Sequence, residues 1–217
     1  MSKIYGYGED SFTLWTLKQH TSKILGRFHD KTALSKCLTF YRPSFGKHHG
    51  KEGSAFGEFD AIMVSAKNVY LIDTTWDARQ RGKRKIPLEK SQKLRHEIFS
   101  WYLTHWDKKY RGHWKRFAEE HRNEFEFGRK TLPPKNSIQA ANLEFILIKT
   151  LEQCKTISRR NIKNVLLFCY RAQKPRKPPR IDKPFKLIPI DCSRDTKDNF
   201  VVLYDEARRL TQIHKSR

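Results

Sequence analysis

The stretch GEFDAIMVSAKNVYLIDTTW, residues 57–76, carries the clearest structural signal in the chain. Its first half alternates polar and apolar residues and then becomes continuously apolar. VYLIDTTW, residues 69–76, reads as the partner strand, and the dipeptide Lys67-Asn68 between the two halves is typical of a tight turn. The pattern predicts an antiparallel β-hairpin with strands over 57–66 and 69–76.

Helical and extended segments surround this hairpin. Residues 142–151 fit a strand or a short helix. The remaining apolar periodicities predict strands at 36–42, 165–171 and 185–192 and helices at 9–27, 87–110, 113–127 and 200–213. We therefore expect one α/β domain over residues 1–217, with an extended basic, Pro-rich connector at 173–184.

Positive charge is the strongest compositional signal. The chain has 45 Lys and Arg against 23 Asp and Glu, which gives a formal net charge of +22 on 217 residues. A charge of this size is typical of proteins that bind phosphate backbones, although a ribosome-type structural role or a surface charged only for solubility would also account for it. The run RQRGKRK is the most basic short segment, and we expect phosphate contacts from Arg79, Arg81, Lys83, Arg84 and Lys85.

Membrane, disulfide and zinc-ribbon classes are disfavoured. No segment approaches the roughly 18 consecutive apolar residues of a spanning helix, and the N-terminal residues do not resemble a signal peptide. The four cysteines are far apart and form no C-x-x-C pair. The sequence therefore predicts a cytoplasmic, intracellular protein with no membrane partner, in which Cys37 and Cys169 are small buried apolar residues.

Two acidic residues mark the hairpin. A hairpin about the Lys67-Asn68 turn brings Asp60 and Asp73 to nearly opposite positions on the two strands. Adjacent carboxylates repel unless a cation lies between them, and such hard oxygen ligands suit Mg²⁺ or Mn²⁺. Glu9 could supply a third carboxylate and Gln92 could orient water or phosphate. The alternative is that the two aspartates pair with nearby Lys or Arg side chains.

With these residues in place, the segment resembles the PD-(D/E)XK nucleases, the restriction-endonuclease-like superfamily. Asp60 in GEFDAIMV matches the first acidic position of that pattern and Asp73 in VYLIDTTW matches the second. Glu9 and Gln92 resemble the acidic residue of the first helix and the glutamine of the following helix. The resemblance covers about residues 5–110. It implies an α/β fold with a restriction-endonuclease-like core, in which a central mixed β-sheet is flanked by helices in αβββαβ order. It also implies metal-dependent cleavage of DNA phosphodiester bonds by an endonuclease, with the ion held by Asp60, Asp73 and Glu9.

The chain departs from the family pattern at one position. The family has a lysine where this chain has Thr75, and a threonine hydroxyl can hydrogen-bond water but supplies no positive charge. Either a lysine has migrated from elsewhere or the site has lost catalytic power. Lys85, Lys90 and Lys93 are the candidates for a migrated lysine, and Lys90 and Lys93 flank Gln92 at the start of the long helix.

Two alternatives to a nuclease therefore stay open. The first is an inactive nuclease-fold DNA-binding subunit of a larger nucleoprotein complex. The second is an RNA-binding protein in which the carboxylates are incidental. DNA is the expected partner, with RNA second, and a homodimer or a specificity-giving protein partner is consistent with so short a chain. Trp101, Trp106 and Trp114 could stack on nucleobases, although the first two fit the core face of an amphipathic helix better.

Overall fold

The computed structural model describes residues 3–45, 56–76, 85–171, 179–197 and 200–205. The main elements are α1 (Gly8–Arg27), α2 (Lys90–His105), α3 (Trp114–Glu120), α4 (Ile138–Gln153), β1 (Lys3–Tyr7), β2 (Leu38–Tyr41), β3 (Ala61–Val64), β4 (Val69–Trp76), β5 (Ile162–Tyr170), β6 (Lys186–Asp191), β7 (Thr196–Lys197) and β8 (Phe200–Asp205). The predicted α/β class with a mixed sheet flanked by helices is confirmed.

The central sheet has five strands in the order β2-β3-β4-β5-β6. The strands β2 and β3 pair antiparallel, as do β3 and β4. The strand β5 runs parallel to β4, and β6 runs parallel to β5. The predicted hairpin is confirmed as β3 and β4, which pair from Ala61 opposite Ile72 to Val64 opposite Val69. The helices α2 to α4 all fall in the connection between β4 and its parallel neighbour β5.

Alternate residues of β4 face two different cores. Tyr70 and Ile72 pack in the cluster that contains Phe12 and Trp15 of α1. Val69 and Leu71 lie in the other cluster, which contains buried residues of α2, α3 and α4. Both faces of the sheet are therefore covered, which explains why the hairpin segment is almost continuously apolar.

A second, three-stranded antiparallel sheet has the order β1-β8-β7. The predicted helix over 200–213 is wrong for its first residues, because 200–205 form the strand β8; residues 206–213 lie outside the described part of the chain. The strand β1 was not predicted. Each strand gains its hydrogen-bond partner from the other end of the chain, so neither short segment shows a decisive local pattern.

Several helix limits also differ from the sequence-based expectation. Residues 142–151 belong to the helix α4, and α2 ends at His105 instead of continuing to 110. The segment 113–127 is helical only at Trp114–Glu120 and in a short 3₁₀ turn, Arg122–Glu124. Among the described residues, no helix combines the length and apolarity that a membrane crossing requires.

The three tryptophans considered for base stacking are all buried. Trp101, Trp106 and Trp114 are 9%, 5% and 2% exposed. The indole N–H of Trp114 donates to the carbonyl of Pro133 at 2.8 Å. The core position predicted for Trp101 and Trp106 is confirmed, and Trp114 lies in the same core, where its ring cannot meet a nucleobase. Cys169 is buried as predicted, whereas Cys37 is only partly buried.

Candidate functional site

Asp60 and Asp73 lie at the open end of the hairpin. Asp60 directly precedes β3, and the register that pairs Ala61 with Ile72 leads to Asp73 opposite Asp60. The backbone N–H of Thr74 donates to Oδ2 of Asp60 at 2.5 Å. Asp73 is 2% exposed and Asp60 is partly buried. The structure thus brings together the two aspartates that the sequence analysis selected.

The electrostatic environment of Asp60 is unfavourable for a carboxylate. Burial is the largest of the effects that together raise the pKa of Asp60 to about 7. The neighbouring charges of Asp73 and Glu9 act in the same direction, and the Thr74 hydrogen bond and the Arg95 charge oppose them. A carboxyl group whose pKa is raised by two other carboxylates lies where a positive ligand would be stabilised. This is the electrostatic property expected of a cation site.

Glu9 approaches this end of the sheet from the first turn of α1. Its Oε1 accepts a hydrogen bond from the backbone N–H of Trp76, the last residue of β4, at 3.1 Å. Phe12, one turn further along α1, stacks on the ring of Trp76 with a centroid separation of 4.1 Å. The ring contact and the hydrogen bond together hold the start of α1 against the end of β4, which keeps Glu9 near Asp60.

The carboxylate of Asp73 accepts contacts from one face of α2. Nη2 of Arg95 donates to Oδ1 at 2.8 Å, Nε2 of Gln92 donates to Oδ2 at 3.2 Å, and Nε2 of His96 lies 3.2 Å from Oδ2. Burial alone would raise the pKa of Asp73, but His96 and Arg95 outweigh it, so the pKa lies below its usual value. Asp73 is therefore ionised, and the guanidinium of Arg95 already neutralises part of its charge.

Gln92 connects the site to the start of α2. Its Oε1 accepts from the backbone N–H of Glu89, the N-cap residue, at 3.1 Å in a capping-box arrangement, while its Nε2 reaches Asp73. The amide is fixed at both ends. Gln92 thus lies in the candidate site, as the sequence predicted, and it also stabilises the helix that carries Arg95 and His96.

The lysines considered as replacements for the family lysine are at or near the surface, and two of them contact another acidic residue. Lys85 and Lys93 both contact Asp182, at 2.6 and 3.7 Å, and Lys90 is exposed at the first position of α2. Thr75 follows Asp73 by two positions on β4 and is 8% exposed. Of the five basic residues expected to contact phosphate, Arg79, Arg81, Lys83 and Arg84 lie outside the described residues, and Lys85 is exposed.

Within the described part of the chain, Arg95 is the Lys or Arg residue that pairs with Asp73, and the sequence analysis missed it. Its guanidinium also lies over the ring of Phe59, 5.2 Å from the centroid, and its side chain is 14% exposed. His96 was missed as well; its Nδ1 lies 2.9 Å from Oδ1 of Asn164 on β5. The spacing i, i+3 and i+4 from Gln92 was the available signal, because it places all three side chains on one helix face.

The fit of a divalent metal ion to these residues is partial. Asp60, Asp73 and Glu9 offer the hard oxygen donors that Mg²⁺ and Mn²⁺ prefer, and burial together with the charges of Asp73 and Glu9 raises the pKa of Asp60. However, within the described ranges no group of three His, Cys, Asp or Glu side chains is arranged to hold a metal ion. Of the described carboxylates, Asp60 and Asp73 are therefore the best-placed metal ligands. The oxygens of Asp73 also accept contacts from Gln92, Arg95 and His96 of α2.

Comparison of the chain with protein-family models, with curated proteins and with solved structures finds no significant match. The resemblance to the PD-(D/E)XK nucleases consequently rests on the motif residues themselves. What the site does has to be inferred from its own geometry and charge.

Proposed function

We propose that this protein is a metal-dependent DNA endonuclease with a restriction-endonuclease-like core. The observation that carries the proposal is the opposed pair Asp60 and Asp73, with Glu9 close enough to raise the pKa of Asp60. Two carboxylates at one end of a sheet in a chain of net charge +22 combine a cation site with a surface that attracts polyanions. Phosphodiester hydrolysis uses both properties.

The arrangement of elements supports the same proposal. In chain order, α1 is followed by the antiparallel strands β2, β3 and β4, then by α2, and later by β5, which is parallel to β4. Apart from α3 and α4, which follow α2, this order is compatible with the αβββαβ order that the resemblance implies. Asp60 directly precedes β3, Asp73 lies on β4 and Glu9 lies in the first turn of α1, which is compatible with the positions of the acidic residues in that family.

Asp60 and Asp73 would hold the ion, with Glu9 beside them. A bound Mg²⁺ or Mn²⁺ would supply a water of lowered pKa and neutralise charge that develops on the phosphate oxygens. Arg95 places a permanent positive charge at Asp73, on the same side of the sheet as the position of the absent lysine. Because guanidinium does not deprotonate in proteins, Arg95 would orient or neutralise phosphate and would not act as a base.

The ion pair with Arg95 also favours a second candidate. If Arg95 and His96 satisfy Asp73 permanently, and Thr75 supplies no charge, the chain would be a non-catalytic nucleic-acid-binding member of the same fold. Such a subunit would bind DNA without any metal requirement. The alternative in which structured RNA is the preferred partner is separated by competition between duplex DNA and RNA.

A cleavage assay distinguishes these functions. We would incubate the protein with labelled duplex and single-stranded DNA in Mg²⁺, Mn²⁺ or EDTA, beside the variants Asp60→Asn and Asp73→Asn. Glu58→Gln is the matched control, because Glu58 lies two residues from Asp60 but pairs with Arg42 at 3.0 Å.

The nuclease proposal expects metal-dependent cleavage that survives in Glu58→Gln and falls at least 100-fold in both aspartate variants. Cleavage that is unchanged in Asp73→Asn would contradict the assignment of the site. DNA binding without cleavage in every metal would favour the non-catalytic subunit.

A further inference from the structure

The small sheet carries a row of exposed side chains beside the candidate site. Tyr7 of β1 pairs with Phe200 of β8, and Phe200 pairs in turn with Lys197 of β7. Residues directly opposite one another on antiparallel strands project from the same face. The three side chains therefore form one row across three strands, in the order aromatic, aromatic, cation.

The row faces solvent. Tyr7 is 65% and Phe200 is 44% exposed, and Lys197 is also exposed. The rings of Tyr7 and Phe200 lie with their centroids 5.2 Å apart. The neighbouring row points the other way: Val201 is fully buried, and a Cβ on Gly6 would lie 2.5 Å from Cβ of Ser11 in α1. The sheet thus packs one face on α1 and presents the aromatic pair on the other.

The row lies near one of the carboxylates along the chain. Glu9 follows Tyr7 by two residues, so their Cα atoms are separated by at most about 7 Å. A nucleic-acid strand with a phosphate at Glu9 would therefore lie close to the backbone of Tyr7. Exposed aromatic rings with an adjacent cation suit an unpaired nucleotide, because the base stacks on a ring while the cation contacts the backbone.

We propose that Tyr7, Phe200 and Lys197 form a stacking row that binds an unpaired nucleotide of a DNA single strand beside the carboxylates. The inference deepens the proposed function and rests on it, since it adds a substrate class to the same site. Bases inside a duplex are stacked on each other and cannot use the row, so the site favours single-stranded or frayed DNA. A second copy of this chain is a poorer occupant, because a net charge of +22 opposes self-association.

Binding measured in EDTA tests the inference without depending on cleavage. The probes are a 12-nucleotide single strand that carries one 2-aminopurine and a blunt duplex of the same sequence. Tyr7→Ala and Phe200→Ala should each weaken single-strand binding about tenfold, the loss expected for one stacked base. They should also abolish the quenching of 2-aminopurine, while duplex affinity stays within twofold. Lys197→Ala should reduce the salt slope of single-strand binding by about 0.7.

Two controls separate stacking from damage to the fold. Tyr7→Phe keeps the ring and should bind like the wild type. Phe145→Ala removes a ring that is 56% exposed on α4 and should have no effect. Equal losses on single strand and duplex, unchanged binding in both ring variants, or a wild-type dimer that Tyr7→Ala dissociates would overturn the inference. If Asp60→Asn abolishes cleavage while the ring variants bind normally, the stacking row fails and the nuclease proposal stands.

Discussion

At the residue scale, an aspartate lies near each end of the hairpin β3-β4: Asp30 near the turn and Asp60 at the open end. The two carboxylates differ in the hydrogen-bond donors around them. Near the turn, Asp30 accepts from Ser65 Oγ at 2.5 Å and from Asn68 Nδ2 and Tyr70 OH at 2.8 Å. Burial alone would raise the pKa of Asp30, but hydrogen bonds from Ser65, Thr32 and Asn68 hold it well below its usual value. Asp60, at the open end, has the carboxylates of Asp73 and Glu9 nearby instead, and its pKa is raised. The two ends therefore treat an aspartate in opposite ways.

Asp60→Asn should change stability in a pH-dependent way. The folded-state pKa of Asp60 is raised to about 7, so its ionisation opposes folding progressively as pH rises from about 4 to 7. The variant removes that charge and keeps an acceptor for the Thr74 N–H. In EDTA it should be more stable than the wild type by roughly 2–4 kcal/mol at pH 8, and near equal at pH 4. Urea denaturation at both pH values measures this; an equal difference at the two would contradict it.

Arg95→Met should expose competition between the arginine and a metal ion. Without divalent ions the variant leaves a buried carboxylate short of its closest cation, and we expect a loss of about 2–3 kcal/mol of unfolding free energy. With Asp73 less neutralised, Mn²⁺ should raise the melting temperature of Arg95→Met more than that of the wild type. Lys93→Met is the control on the same helix, because Lys93 contacts Asp182. An equal Mn²⁺ effect in all three proteins would argue against a shared metal site.

At the element scale, local patterns explain which predictions were confirmed. The hairpin β3-β4 was predictable because its alternation, its turn and its pairing lie within 20 contiguous residues. The sheet formed by β1 and β8 was not, because its strands come from opposite ends of the chain. The helix α2 and the position of Gln92 on it were predictable. The contacts of Arg95 and His96 with Asp73 were missed because the search followed the family lysine and did not extend the i+3 and i+4 spacing from Gln92.

Two glycines on the first elements test the packing of β1 on α1. A Cβ at Gly6 would lie 2.5 Å from Ser11 Cβ and 2.7 Å from Leu203 Cδ1, so Gly6→Ala should destabilise the protein by about 1–3 kcal/mol. Gly26, near the end of α1, has no such neighbour within 4 Å, and Gly26→Ala should be neutral or stabilising by up to about 1 kcal/mol. Thermal unfolding of both variants measures the difference. Equal stability would mean that β1 does not pack closely on the helix.

At the scale of the whole molecule, the net positive charge is the property that bears most directly on binding. The same net charge of +22 that predicts a polyanionic partner also sets how binding depends on salt. The mixture of helices and strands followed from the periodicity of apolar residues, and the mixed sheet was expected from the resemblance to the PD-(D/E)XK nucleases. The division into a five-stranded sheet and a three-stranded one did not, because it depends on pairing between distant segments.

Affinity for duplex DNA should fall steeply as salt rises. If about five phosphates are neutralised, the dissociation constant should increase about 10²–10³-fold between 50 and 200 mM monovalent salt. Fluorescence anisotropy with a labelled duplex measures the slope, and unlabelled structured RNA serves as the competitor. A change of less than threefold would show that the positive charge does not contact the backbone, and stronger competition by RNA than by DNA would favour the RNA-binding alternative.

The central claim is that Asp60 and Asp73 share a divalent cation. Its most direct test is the binding of Mn²⁺, followed by electron paramagnetic resonance on the wild type, Asp60→Asn and the control Glu58→Gln at pH 8. We predict that the wild type and Glu58→Gln bind Mn²⁺ with similar affinity and that Asp60→Asn binds at least tenfold more weakly. A wild type that binds no Mn²⁺, or an Asp60→Asn variant that binds it equally well, would contradict the metal site and leave Asp73 as a structural partner of Arg95.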